Sequence, residues 1–285
     1  HQWFGNITTP RWWDDLWLNE SFAEYMGVRV TAAVTEYDDA GVQNSFARRQ
    51  WGLVADQRPS THSVAGNGEE DALAALQNFD GISYAKGSSI LKQLAARLGD
   101  EVFLEGVRDH LTRHRFGNAT MHDLFASWTR AGAGGFDSFS REWLGRLALD
   151  RPAGELVRPP PAAHPADRSH SLRLAVAPAG GDWSPVDVEV TGERTPVPVP
   201  DGDAVLIDPW EDSWAACLAD ETTLALLPDL VTRTEDPMLR AGIWNSVRSG
   251  FHHAEVDPAA VVDLAEAWLP IETQDAGLTY TTPWL

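Results

Sequence analysis

Cysteine is nearly absent from these 285 residues: Cys217 stands alone, which excludes an intramolecular disulfide framework and any cysteine-based zinc knuckle. Basic residues are scarce as well. Lys and Arg number 22 against 42 Asp and Glu, a formal net charge of −20 that repels phosphate backbones and anionic lipid, so nucleic acid and membrane surfaces are not expected partners. No apolar run reaches the ~18 residues that would cross a bilayer, and the N-terminus carries no signal-peptide pattern. The lack of disulfides fits a reducing, cytoplasmic compartment. An initiator methionine is also missing, and His1 opens directly onto His1-Gln2-Trp3-Phe4-Gly5-Asn6, so the chain reads as a fragment. What is present is ordinary globular composition, 43% hydrophobic and 22% charged, at a length that favours about two domains.

Composition changes twice along the chain. Through residue 149 apolar residues return every three or four positions, the helical period. Thr9 and Pro10 suit the cap and first position of a helix running to about Val34. Further helices are expected near 39–54, 82–98, 101–114, 120–131 and 137–148, broken at Gly99-Asp100, Gly117-Asn118 and Gly132 to Gly135. Residues 150–167, with Pro159-Pro160-Pro161, read as a semi-rigid linker. Over 168–212 the period falls to two, in Leu172 to Val176, Val186 to Val190, Val197 to Val199 and Ala204 to Ile207, which predicts a small antiparallel β-sandwich. Prolines 196, 198 and 200 demote the third of these strands to an edge. Helical spacing returns over 213–285, with Asp257 as a cap and Pro258 at a first helical position. The fold class is therefore mixed α and β.

On the first long helix Trp13, Leu16, Trp17, Glu20 and Ala23 form one stripe, so Glu20 lies in line with tryptophans. A buried carboxylate costs several kcal/mol unless it meets a cation, a metal or good donors. The plain reading pairs Glu20 with Arg11 or Arg29, or points it outward beside Glu24. His1 offers another. Eighteen residues separate it from Glu20, and a turn over Gly5 to Pro10 lets the helix fold back. Ten helical residues return ~15 Å, enough to bring the carboxylate level with the imidazole. A zinc hydrolase needs three protein ligands and an open position. The helical motif H-E-x-x-H supplies two of them, and His1 can be its second histidine.

Three segments carry a resemblance. The first is His1-Gln2-Trp3-Phe4-Gly5-Asn6 followed by Trp12-Trp13-Asp14-Asp15-Leu16-Trp17-Leu18-Asn19-Glu20-Ser21-Phe22-Ala23-Glu24-Tyr25. The second is Asn78-Phe79-Asp80-Gly81-Ile82-Ser83-Tyr84-Ala85-Lys86-Gly87. The third is His114 to Thr120, then Asp123-Leu124 and Trp143-Leu144. Together they resemble the aminopeptidase N family of zinc metallopeptidases, most closely its actinobacterial members, strongly over 1–149 and weakly over 165–285. The resemblance implies that His1 and Glu20 are metal ligands for one zinc ion. It implies that Tyr84, in the family's Y-x-K-G segment, stabilises the tetrahedral oxyanion, and that substrates are peptides shortened from their N-termini. It also implies a helical C-terminal part of a zincin catalytic domain, a small β-sandwich and the start of an α-solenoid-like helical domain.

Departures from the family pattern bear on activity. The first zinc histidine, the general-base Glu and the family's G-x-M-E-N segment, which holds the substrate's free amine, do not occur here, so the chain alone is expected to be inactive. Thr61-His62-Ser63 replaces the usual T-H-P, and Ile207-Asp208-Pro209 stands where P-N-D is commoner. Two other readings remain open: a non-catalytic interaction module, or a related zincin acting as endopeptidase or epoxide hydrolase. Among the remaining residues, Lys86 reads as structural or surface, and Asp14 and Asp15 as second-layer acceptors or helix-dipole partners. Trp3, Trp12, Trp13 and Trp17 read as core. His62, His110, His114, His122, His252 and His253 read as surface or capping residues, and Cys217 as a small buried apolar residue.

Overall fold

The computed structural model describes residues 1–66, 70–134, 145–150, 155–157 and 170–284. These form two compact units. One comprises the described residues of His1–Glu36 and Trp51–Trp143, the other those of Tyr37–Gln50 and Leu144–Leu285.

The first unit is helical. After strand β1 (Thr8–Pro10) and a single tight turn, Trp13–Asp15, comes the long helix α1 (Leu16–Val34). α3 (Gln50–Asp56), short α4 (Ala72–Leu76), a π-helical turn Ile82–Lys86 running into α5 (Gly87–Leu98), α6 (Asp100–Arg113), strand β2 (Gly117–Ala119) and α7 (Met121–Arg130) follow. Thr9 and Pro10 do not start a helix. They lie in β1, which pairs in parallel with β2 through Thr8–Gly117, Thr9–Asn118 and Pro10–Ala119. Local capping preference loses there to a ladder with residues more than a hundred positions away. α1 begins six residues after Pro10.

The core of this unit is aromatic. Phe4 stacks on Phe22 with ring centroids 4.0 Å apart, and Phe22, Phe103 and Trp128 continue the cluster. Leu91, Leu94 and Leu124 fill the remaining space. A capping box closes α7: the Thr120 hydroxyl accepts from the Asp123 N–H, and the Asp123 carboxylate accepts from the Thr120 N–H.

The second unit combines two sheets with helices. One sheet has the order β7 (Arg194–Pro196), β4 (Glu155–Val157), β3 (Gly145–Asp150), β9 (Ala215–Cys217); the other is β6 (Ser184–Val190), β5 (His170–Ala177), β8 (Ala204–Ile207). Leu156 and Ala215 from the first sheet share a core with Leu172, Leu174, Val188 and Val205 from the second, which makes a sandwich. The expected helix near 137–148 does not extend over 145–148, which belong to β3; the rest of that expectation, with Trp143-Leu144 and most of the linker, lies outside the described residues. β7 is an edge strand as the prolines require, although it sits at 194–196 rather than 197–199. Strands continue to Cys217, past residue 212.

Helices α8 (Glu221–Val231), α9 (Pro237–His252), α10 (Pro258–Trp268) and α11 (Asp275–Thr281) complete the unit, joined by α2 (Ala40–Asn44) and a π-helical turn, Ser45–Arg49. Trp244 and Trp268 pack with Phe46 in its core. Asp257 accepts from the Ala259 N–H ahead of Pro258, the cap the spacing predicts. Arg49 is buried here against Asp208, Glu211 and the Ser213 carbonyl, so the Ile207-Asp208-Pro209 departure sits inside an ion-pair network.

Candidate metal centre

Three segments of the first unit converge on one point. α1 carries Glu20, the N-terminal coil carries His1, and the π-helical turn carries Tyr84. Gly5 makes the return of the coil possible: its φ is +125°, which L side chains rarely adopt, and a Cβ there would stand 2.9 Å from the His1 carbonyl oxygen. The chain then runs into β1 and back along α1, and His1 Nε2 ends 2.5 Å from Glu20 Oε2.

Glu20 is 5% exposed. The stripe of Trp17 and Glu20 thus does face inward, and Arg29 does not neutralise it, since Arg29 pairs with Asp100 and the Tyr25 hydroxyl. Burial holds the Glu20 carboxyl above the usual carboxylate range, while the Tyr84 hydroxyl, hydrogen-bonded to it, and the N-terminal ammonium pull the other way. His1, Glu20 and Tyr84 therefore form one connected group.

The turn bearing Tyr84 is tightly held. Ile82, Ser83, Ala85 and Lys86 are buried, and Tyr84 is the half-exposed residue among them. The Ser21 hydroxyl, next to Glu20 in sequence, donates to the Ser83 carbonyl at 2.7 Å. One residue beyond the turn, a Cβ on Gly87 would fall 1.8 Å from Ser21 Oγ, so α1 and α5 cross beside the site at a distance only glycine allows. Asp80 accepts from the Ile82 and Ser83 N–H groups, and His62 Nε2 meets its other oxygen at 3.2 Å. That contact raises the His62 pKa against the opposing effect of its burial, and lowers that of Asp80 in the same way. His62 is therefore a partner of the Tyr84 turn rather than a surface residue.

An imidazole nitrogen facing a buried carboxylate is a donor set of the kind zinc prefers. Ligand atoms on a tetrahedral zinc lie about 3.3 Å apart, so the pair would open by about 0.8 Å to hold one. The fit is right in chemistry and partial in number: among the described residues no group of three His, Cys, Asp or Glu could hold a metal ion.

The chain is similar to known proteins over the stretch that carries these residues. The family described as Peptidase family M1 domain matches residues 1–143. Aminopeptidase N of Streptomyces lividans is 32% identical across 90% of the chain. Leucyl aminopeptidase of Saccharolobus solfataricus is 36% identical across 50% of it, and aminopeptidase N of Lactococcus lactis 31% across 70%. The chain belongs to the M1 family, the aminopeptidase N family of zinc metallopeptidases. It spans about a third of the length of the Streptomyces relative, 33%, and 18% and 24% of the other two.

Other expected positions of this M1 chain resolve differently. Asp15 accepts from the Met121 N–H at the start of α7, a structural duty at a helix N-terminus, and its carboxyl is raised by burial. Trp17 is core, but Trp3 and Trp12 are 63% and 52% exposed, because strand pairing turns that stretch along the surface. His110 is buried, not superficial. Cys217 is half-buried, and burial pushes its thiol up. Ser21 and Asp56, whose contacts hold the Tyr84 turn, carry no signal of their own in the sequence; the glycine of Y-x-K-G is the one hint of a close helix crossing.

Proposed function

We propose that this M1 chain is part of a zinc-dependent aminopeptidase that removes residues from the N-termini of peptides, with His1 and Glu20 as zinc ligands and Tyr84 as the oxyanion donor. The observation that carries the reading is the single contact group in which His1 Nε2 and the Tyr84 hydroxyl both meet the buried Glu20 carboxylate. Zinc, when bound, would polarise the scissile carbonyl and activate water. His1 and Glu20 would hold the ion by a neutral nitrogen and an anionic oxygen, and Glu20's burial would keep competing water away. Tyr84 would turn its hydroxyl from Glu20 to the substrate oxygen as negative charge develops there, where one preorganised donor is worth ~3 kcal/mol. We assign α1 and α3–α7 to the helical C-terminal part of a zincin catalytic domain and α8–α11 to the start of an α-solenoid-like domain, in a cytoplasmic protein.

A third ligand and a general base would come from an H-E-x-x segment preceding His1, so the chain by itself is assigned no turnover. The test is metal content together with hydrolysis of an amino-acid 4-nitroanilide, on the full-length protein, its Glu20→Gln variant and the chain alone. The full-length protein should hold stoichiometric zinc and turn over. Glu20→Gln should lose most of both, because an amide is a poorer ligand than a carboxylate. Full zinc retention in Glu20→Gln, or robust turnover by the chain alone, would overturn the assignment. A metal-free, inactive full-length protein would favour a non-catalytic interaction module; cleavage inside peptides or of an epoxide would point to a related zincin.

A further inference from the structure

A buried ion pair lies two residues beyond Tyr84. Lys86, at the end of the π-helical turn, is 1% exposed, and its Nζ lies 2.9 Å and 3.1 Å from the two carboxylate oxygens of Asp56, the last residue of α3. The side chain of Asp56 is 0% exposed, and its Oδ1 also accepts from the Thr61 hydroxyl at 2.6 Å. Such a pair adds little to stability compared with apolar residues of the same volume, because taking both charges out of water costs about as much as their attraction returns. What it supplies is direction. An ammonium held by both oxygens of a carboxylate, itself fixed by a third group, permits few orientations of the chain that carries it.

A π-helical turn needs that kind of restraint. It inserts one extra residue into a helix and breaks the regular i to i−4 ladder, so its geometry has to be fixed by contacts from outside. Here the front of the turn is tied by Asp80 and the middle by Ser21, while the far end is tied by Lys86 to Asp56. On the side of α3, a Cβ on Gly81 would meet the Gly52 Cα at 2.7 Å, so the same helix that bears Asp56 presses on the start of the turn. Tyr84 is the side chain that this restrained turn leaves half-exposed beside Glu20.

We propose that Asp56 and Lys86 are positioning residues, a buried ion pair that holds the Tyr84 hydroxyl where the oxyanion forms. The proposal rests on the oxyanion reading of Tyr84, and its test separates the two. The full-length zinc enzyme is prepared as four proteins: unaltered, Tyr84→Phe, the paired replacement Asp56→Leu with Lys86→Met, and all three changes together. The paired replacement removes both charges at once, so no unpartnered charge is left buried. It should lower kcat at least tenfold with KM within about twofold and zinc content unchanged. In the Tyr84→Phe background the same replacement should change kcat less than twofold, because a position that no longer bears the hydroxyl cannot be mispositioned.

Binding gives a readout independent of turnover. Affinity for a phosphinic dipeptide, whose tetrahedral oxygens mimic the transition state, should fall in step with kcat, while affinity for the free amino acid product stays level. If the paired replacement does not fold, Thr61→Val carries the same comparison, with a severalfold fall expected only where Tyr84 is present. An equal fall in kcat in both backgrounds would make the ion pair merely structural and overturn the proposal. An unaltered kcat in Tyr84→Phe alone would instead remove the oxyanion reading on which it rests.

Discussion

At the scale of the residue, burial decides what each ionisable group can do. Glu20 stays buried beside one imidazole and one phenol, and burial raises its carboxyl more than the Tyr84 hydroxyl and the N-terminal ammonium lower it. A cation between Glu20 and His1 would reverse that shift. His110 shows the same physics with no ligand role. It is 3% exposed on α6, and burial, with the His114 ring 5.1 Å away, lowers its pKa to about 4. Its unfolded value is ~6.5, so between these limits the unfolded chain binds the proton that the folded chain refuses. Stability contributed by neutral His110 is therefore complete above pH ~6.5 and is lost as pH falls towards 4, by on the order of 3 kcal/mol in all. Urea unfolding of the chain at pH 7 and pH 4.5 should show this loss, and His110→Asn should lose distinctly less. Equal losses in the two proteins would mean that His110 is already free to protonate in the fold.

At the scale of the element, packing overrules local preference in identifiable places. The aromatic clamp of α6 on α7 leaves no room at Gly106, where a Cβ would stand 2.0 Å from Trp128 Cδ1, while Trp128 Nε1 donates to the Phe103 carbonyl at 3.0 Å. Gly106→Ala should thus destabilise by about 1–3 kcal/mol despite alanine's better helix propensity, seen as a lower urea midpoint. An unchanged or higher midpoint would show that Trp128 can move. Helices α5, α6 and α7 are legible because their apolar residues recur at helical spacing and glycines lie at the breaks between and after them, whereas for α1 the spacing marks the end near Val34 but not the start. The pairing of β1 with β2 was not legible, since three residues on each side carry no alternation and Thr9-Pro10 imitates a helix start. Residues 145–148 read as helix because their apolar residues continue a pattern that periodicity alone does not separate from a strand, and the structure makes them part of β3. The convergence of His1 with Glu20 could be reasoned from the turn at Gly5. The pairing of Lys86 with Asp56 could not, because thirty positions separate them and nothing local links the two.

At the scale of the whole molecule, family membership joins these parts to a chemistry. The M1 match covers residues 1–143, and within it lie His1, Glu20 and Tyr84. No described helix is long and apolar enough to cross a membrane. The central claim is that this group is a metal-hydrolase centre in which Tyr84 acts on the transition state and not on the metal. It is tested most directly by the kcat of Tyr84→Phe in the full-length protein, measured beside its zinc content. The ring and its packing beside Trp51 survive that change, whereas the hydroxyl matters chiefly when charge develops on the substrate oxygen. The kcat of Tyr84→Phe should fall ~100- to 1,000-fold, the effect of losing one preorganised oxyanion donor, with KM little changed and zinc retained in full. A near-normal kcat, or a loss of zinc along with activity, would contradict the central claim.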